Sequence, residues 1–404
     1  MRGYDVLKRY DLLTPEGTRD LLFEECAAKR TIADKLTKLF ESNGYSEVMT
    51  PGLEFYEVFN GKVRYFPPET MYKLVDGKNR LMVLRPDNTM PIARLAATRL
   101  RAEELPLKLF YNQSIFVVNP KNSGRDDEFT QSGIEILGGK SSAADIEALT
   151  IAAKSLAVCD EDFRLEIGES GIFRTMIDDL GTDEETAEAI RGLIEAKNYP
   201  ALNDVLSGSD APAARGIRKL PALFGGREVF AQAREYMYSQ ALREKLDGLE
   251  RLYELLCGAG LDGKLRVDLG LVHKKNYYTG IIFRGYVEGY GQPALSGGRY
   301  DTLLGDFGRD VTAVGFAINV EAAAKGLLRR SAGSLKKVPD VLVFALDDAQ
   351  TAALKHSERL IESGLMVYNG LFDDIEKARK YALSHGIKRI DAVAADGSAQ
   401  SQEV

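Results

Sequence analysis

Residues 271–280 read LVHKKNYYTG. Two adjacent tyrosines, Tyr277 and Tyr278, stand before Thr279-Gly280 and a strand-like run, Ile281–Val287. Neighbouring side chains on an extended chain point in opposite directions. One ring is therefore expected to enter the core and the other to face a pocket, with its hydroxyl as a polar handle.

Three other stretches can supply the rest of such a pocket. In Phe129–Glu135, FTQSGIE, alternation puts Gln131, Gly133 and Glu135 on one face, with Ile134 and Ile136 on the other. An amide and a carboxylate around a residue with no side chain make a small polar floor. It suits a donor-rich ligand such as an imidazole or an ammonium. A solvent-facing strand with ordinary polar residues fits the same spacing. Asp87 and Thr89 follow the strand-like LMVLRP, where Pro86 disfavours helix at Arg85 and Thr89 can cap the next helix. Ligand binding and helix capping are both open there. Ser296–Asp301, SGGRYD, reads as a glycine pair before a helix-like run, suited to a ligand's close approach or to an ordinary turn.

The rest of the chain sets bounds. Its 404 residues exceed one average core, so two or three domains are expected. The formal net charge of −7 leaves no global basic surface for nucleic acid. No apolar run nears the roughly 20 residues that span a bilayer. The charged start, MRGYDVLKRYDLLTPEG, has no apolar signal core, so secretion is not expected. Cys26, Cys159 and Cys257 are distant and odd in number, which points to reduced thiols in a cytoplasm. His273, His356 and His385 are too few for a His-rich metal site, so no metal is expected.

Thr14-Pro15-Glu16-Gly17 reads as a turn leading into a helix, with Thr14 as N-cap. The helix is expected over Arg19–Glu41, burying Leu22, Ile32, Leu36, Leu39 and Phe40. Strands are expected at Ser46–Thr50, Met71–Val75, Arg80–Leu84, Lys108–Val118, Glu128–Leu137 and Phe163–Ile167. They resume at Lys264–Leu269, Ile281–Val287 and Ala313–Phe316. Long strands joined largely by hairpins between helices imply an α+β domain around an antiparallel sheet, over residues 1–169 and 260–330. Residues 170–259 read as a helical insertion without strands, and 331–338 as a linker. VLVFAL (Val341–Leu346) is a continuous apolar strand that opens a small βαβαβ domain over 339–404, with a frayed polar end.

LVHKKNYYTG resembles the signature of the histidyl-tRNA synthetase family. LRPDNT (Leu84–Thr89), GRDDEFTQSGIEILG (Gly124–Gly138), GGRYD (Gly297–Asp301) and VGFAINVE (Val314–Glu321) follow in that family's order and broad spacing. GYSEVMTP (Gly44–Pro51) resembles the dimer-forming first motif of class II synthetases. The resemblance covers about residues 10–330. It implies an antiparallel sheet flanked by helices, normally dimeric. The tail resembles a shortened anticodon-binding domain.

The departures from the family are selective. Where the second motif has arginine and then glutamate for the ATP phosphate and adenine, this chain has Val117 and Asn119. The third-motif arginine is Ala322, and the family's catalytic arginine is His273. Adenylate formation needs positioned cations where charge develops on phosphate, and losing one such group costs orders of magnitude. Arg125 aligns with a motif-loop arginine but cannot replace that set. By contrast Thr89, Gln131, Glu135, Tyr277 and Tyr278 match positions that hold histidine in the family, and Asp87 replaces a glutamate.

This pattern is similar to the regulatory-subunit family of ATP phosphoribosyltransferase. These synthetase paralogues join a short catalytic subunit in the first step of histidine biosynthesis. The resemblance implies a non-catalytic, cytoplasmic regulatory subunit with no cofactor, self-associating as a dimer within a hetero-octamer, with histidine as feedback inhibitor. From Lys336 to Val404 nine Lys/Arg face eleven Asp/Glu, a net of −2, so tRNA is not an expected partner. The alternatives are a divergent histidyl-tRNA synthetase and a stand-alone histidine-binding or RNA-binding sensor.

Overall fold

Ala28, Ile32, Leu36 and Phe40 recur every fourth residue and are buried along one face of the helix Phe23–Ser42. The computed structural model describes residues 10–61, 65–120, 124–272, 277–331, 335 and 337–404. The helix begins later than expected, and Leu22 is exposed. Thr14 does not cap it: its hydroxyl donates to the Thr18 carbonyl at 3.2 Å. The turn docks elsewhere. Gly17, at φ +78°, lies against Asp127, whose backbone N–H donates to the Gly17 carbonyl at 2.6 Å.

The chain divides into two compact units, Met1–Ser331 and Ala332–Val404. The first holds β1 (Ser46–Glu47), β2 (Leu53–Phe55), β3 (Lys73–Val75), β4 (Leu81–Leu84), β5 (Leu107–Phe116) and β6 (Glu128–Leu137). It continues with β7 (Phe163–Glu169), β8 (Phe224–Gly225), β9 (Leu265–Asp268), β10 (Ile281–Val287), β11 (Leu295–Arg299) and β12 (Ala313–Asn319). Nine of these form one sheet in the order β1-β5-β6-β12-β11-β10-β7-β9-β8, and β2-β4-β3 form a small separate one.

The α+β class stands, flanked by helices, but the large sheet is mixed. Its centre is antiparallel, whereas β1 pairs parallel with β5 and β7 with β9. The two-residue β8 belongs to the stretch read as purely helical and pairs with β9. Strand β11 replaces the expected glycine turn. Gly297 and Gly298 are there because the sheet is tight: a Cβ on Gly297 would sit 2.4 Å from the Gly315 carbonyl, and one on Gly298 2.7 Å from the Tyr278 ring.

In the second unit β13 (Val341–Ala345), β14 (Val367–Gly370) and β15 (Arg389–Val393) are parallel, with helices Gln350–Glu362 and Ile375–His385 between them. The polar tail is not frayed. It forms β16 (Ala399–Glu403), antiparallel to β15. Ser401 Oγ donates to the fully buried Asp391 at 2.7 Å. All five β16 residues are exposed, so composition carries no apolar signal for the strand. No described helix is long and apolar enough to cross a membrane.

Candidate functional site

Strand β6 crosses the centre of the large sheet, and the register places Glu135 opposite Gly315 of β12 and Gly133 opposite Tyr111 of β5. Glu135 is only 1% exposed, which rules out the solvent-facing strand. A Cβ on Gly315 would lie 1.8 Å from Glu135 Oε2, so glycine there is a steric requirement of the carboxylate. Thr89 Oγ1 donates to Glu135 Oε1 at 2.9 Å, and the Tyr300 hydroxyl donates to Oε2.

Thr89 is therefore turned into the pocket and does not cap its helix, Thr89–Ala97. Asp87 caps instead, accepting from the Met90 N–H at 3.2 Å. Asn88 Nδ2 donates to Gln131 Oε1 at 3.2 Å. Tyr277 is buried among Tyr65, Tyr278 and Tyr300, with ring centroids 6.0, 4.8 and 5.8 Å away. Burial first, then the Asp87 and Glu135 carboxylates, push the Tyr277 phenol well above its ordinary pKa. Tyr300 is raised for the same reasons, burial and then Glu135. Both phenols stay protonated, and that of Tyr300 donates to Glu135.

The structure thus gathers Asp87, Thr89, Gln131, Glu135, Tyr277 and Tyr278 around one point. All but Glu135 line a free volume of only about 20 Å³, and Glu135 contacts its lining residues Thr89 and Tyr300. That space suits about one water. Three of its walls, Gln131, Ser296 and Ala317, are shared with a neighbouring cavity of about 410 Å³. Val117, Asn119 and Ala322 all line this larger cavity. Asn119 is committed to its own loop, donating to the Asp126 carbonyl and to Asp127 Oδ1, both at 3.1 Å. Among the described residues the charged lining is balanced: Arg125 and Lys325 against Asp126 and Glu321. Glu321 is engaged by Lys29 at 2.6 Å and by the Thr130 N–H at 2.8 Å. His273 lies outside the described residues. No cluster that could hold a metal occurs among the described residues.

A family model described as histidyl-tRNA synthetase matches residues 17–323. The chain is 39% identical over 379 residues to the ATP phosphoribosyltransferase regulatory subunit of Clostridium kluyveri, spanning 93% of this chain and 97% of that one. It is 40% identical over 389 residues to that of Clostridium acetobutylicum, spanning 95% of each. The chain belongs to the ATP phosphoribosyltransferase regulatory subunit family. A solved structure described as an ATP phosphoribosyltransferase regulatory subunit/histidyl-tRNA synthetase from Bacillus halodurans superposes with a TM-score of 0.82 at 28% identity, covering 95% of this chain and 98% of that one.

On this regulatory-subunit scaffold, sequence reasoning missed two tyrosines. Tyr300 lay within the GGRYD motif without an assigned partner, and only β11 and β12 bring it to Glu135. Tyr111 is fully buried beside Gly133, where a Cβ would come within 2.6 Å of its hydroxyl. A large aromatic facing a glycine across two strands was the available signal, but it needs the register.

Proposed function

We propose that this chain is the non-catalytic regulatory subunit of a short-form ATP phosphoribosyltransferase, acting in histidine biosynthesis, and that it senses histidine in the Glu135 pocket. The observation that carries the reading is the unequal treatment of two adjoining spaces. One keeps a buried carboxylate with ordered donors around it. The other, where synthetases hold ATP, is lined by Val117, Asn119 and Ala322 and, among the described residues, by as many anions as cations. A phosphate needs a local excess of positioned cations. An imidazole N–H needs an acceptor such as Glu135, and an ammonium one such as Asp87.

The contracted pocket supplies a mechanism. Histidine is far larger than the free 20 Å³, so its binding favours a conformation in which the Tyr277-Tyr278 loop and Gln131 have moved outward. A ligand that prefers one conformation shifts the assembly toward it, and the same coupling acts back on the ligand's affinity. The partner is a short-form catalytic subunit in a cytoplasmic hetero-octamer, with this chain dimerising within it and without tRNA. The test is reconstitution. The chain alone should show no phosphoribosyl transfer from phosphoribosyl pyrophosphate to ATP. Added to the catalytic subunit it should stimulate transfer, and histidine should suppress the stimulated rate. A catalytic subunit whose rate is unchanged by this chain sinks the reading.

A further inference from the structure

The Tyr277–Gly280 loop is held from two sides. On one side Thr279 N–H donates to the Arg299 carbonyl at 2.7 Å, and the Asp301 N–H donates to Thr279 Oγ1 at 2.9 Å. Arg299 is itself buried and paired with Asp145 and Asp301 at 2.5 and 2.8 Å. This side belongs to the sheet.

The other side belongs to the first helix after β7, Ser170–Leu180, where the stretch read as an insertion begins. Ser170 and Arg174 are four residues apart and so share a face. Ser170 Oγ donates to the Gly280 carbonyl at 2.8 Å, and the Ser170 N–H donates to the same carbonyl at 2.9 Å. The Arg174 guanidinium donates to the Tyr278 carbonyl. Tyr278 also separates two spaces. Its one side lines the small pocket, and its other side lines a cleft of about 240 Å³ walled by Phe173, Ile177, Leu271 and Ile282. The loop has room to fall back into that cleft if it is released.

We infer that Arg174 is a positioning residue: by holding the Tyr278 carbonyl it fixes Tyr277 and Tyr278 as pocket walls, so that ligand affinity depends on how the helical stretch after β7 docks. The inference rests on the histidine-pocket reading above. A charged donor to a carbonyl is among the stronger hydrogen bonds, and its loss removes an anchor that the helix places on the Tyr278 backbone.

The test is isothermal titration of histidine into the full chain, with thermal melts in parallel, for the natural protein, R174M, R174K and S170A. R174M should bind about tenfold or more weakly while its melting temperature stays within a few degrees, since about 1.4 kcal/mol is a tenfold change. R174K should recover part of the affinity, because an ammonium can still donate to the carbonyl. S170A keeps the backbone bond to Gly280 and should weaken binding less than R174M. Unchanged affinity in R174M overturns the inference. So does an equal loss in R174M and R174K that tracks a fall in melting temperature, which would make Arg174 a stability residue only. If R174M does not fold, S170A decides: weaker binding supports the inference and unchanged binding overturns it. A natural protein that takes up no histidine overturns the pocket reading, and the inference with it.

Discussion

Glu135 has both carboxylate oxygens occupied by hydroxyl donors, Thr89 on one and Tyr300 on the other, and almost no exposed surface. Truncating one partner of a buried, hydrogen-bonded charge contact costs about 2–5 kcal/mol, so E135A should weaken histidine binding at least about thirtyfold in a calorimetric titration. Retained affinity would remove Glu135 from the site. Gly315 gives an independent handle on the same group. G315A drives a methyl into Glu135 Oε2 and should lower stability by about 1–3 kcal/mol while reducing histidine affinity. A melting temperature and affinity equal to the natural protein's would show that the carboxylate need not stay where it lies. At this scale alternation was enough to place Gln131, Gly133 and Glu135 on one face. It could not tell whether that face was wet, because the side chains that cover Glu135, Thr89 and Tyr300, come from distant parts of the chain. Nor could it aim Thr89, since capping and pocket contact demand the same residue type at the same position.

Among the elements, β16 was the least legible and has a clear physical anchor. Asp391 is fully buried and bound by Arg389, His356 and Ser401, and against the cost of burial these partners hold its carboxyl down at about 2. A carboxyl depressed in the fold stabilises it above the unfolded value near 3.8, and that stabilisation is lost as pH falls from there through about 2. D391N should cost the second unit about 2–3 kcal/mol at neutral pH and flatten this acid dependence, measured by melts of the full chain across that window. An unchanged acid transition would show that another group governs it. In β2 the alternation leaves an apolar outer face. Glu54 is buried against Arg94 at 2.6 Å, while Leu53 and Phe55 stay exposed, as does Met49. These apolar residues adjoin the segment that resembles a dimer-forming motif. The paired change L53D/F55D should convert a dimer to monomer in sedimentation velocity, with the melt of the second unit unaltered. A natural chain that sediments as a monomer would refute the interface outright.

For the whole molecule, the loss of the phosphate-handling arginines leads to a sharp expectation. Histidine-dependent ATP–pyrophosphate exchange should be absent at every histidine concentration, because the phosphate-handling positions lack their arginines. Exchange above background would return the chain to the synthetases proper. The kinship and the α+β class were determined by sequence alone, since they depend on local motifs whose order along the chain is itself the signal. The loss of arginines was equally visible, because a missing charge type needs no coordinates to be noticed. Tertiary structure decided what those residues touch. The parallel margins of the sheet, the strand at Gly297-Gly298, the tail strand and the seating of Tyr111 and Tyr300 beside Glu135 all arise from contacts between residues far apart in sequence. Hydrophobic periodicity records which side of an element is apolar; it does not record which element lies opposite. In LVHKKNYYTG that distinction is concrete. Alternation marks one of the two tyrosines as a pocket wall and the family resemblance marks both; only the fold lines the pocket with both and shows that Tyr278 is held through its carbonyl by Arg174, a residue 104 positions away.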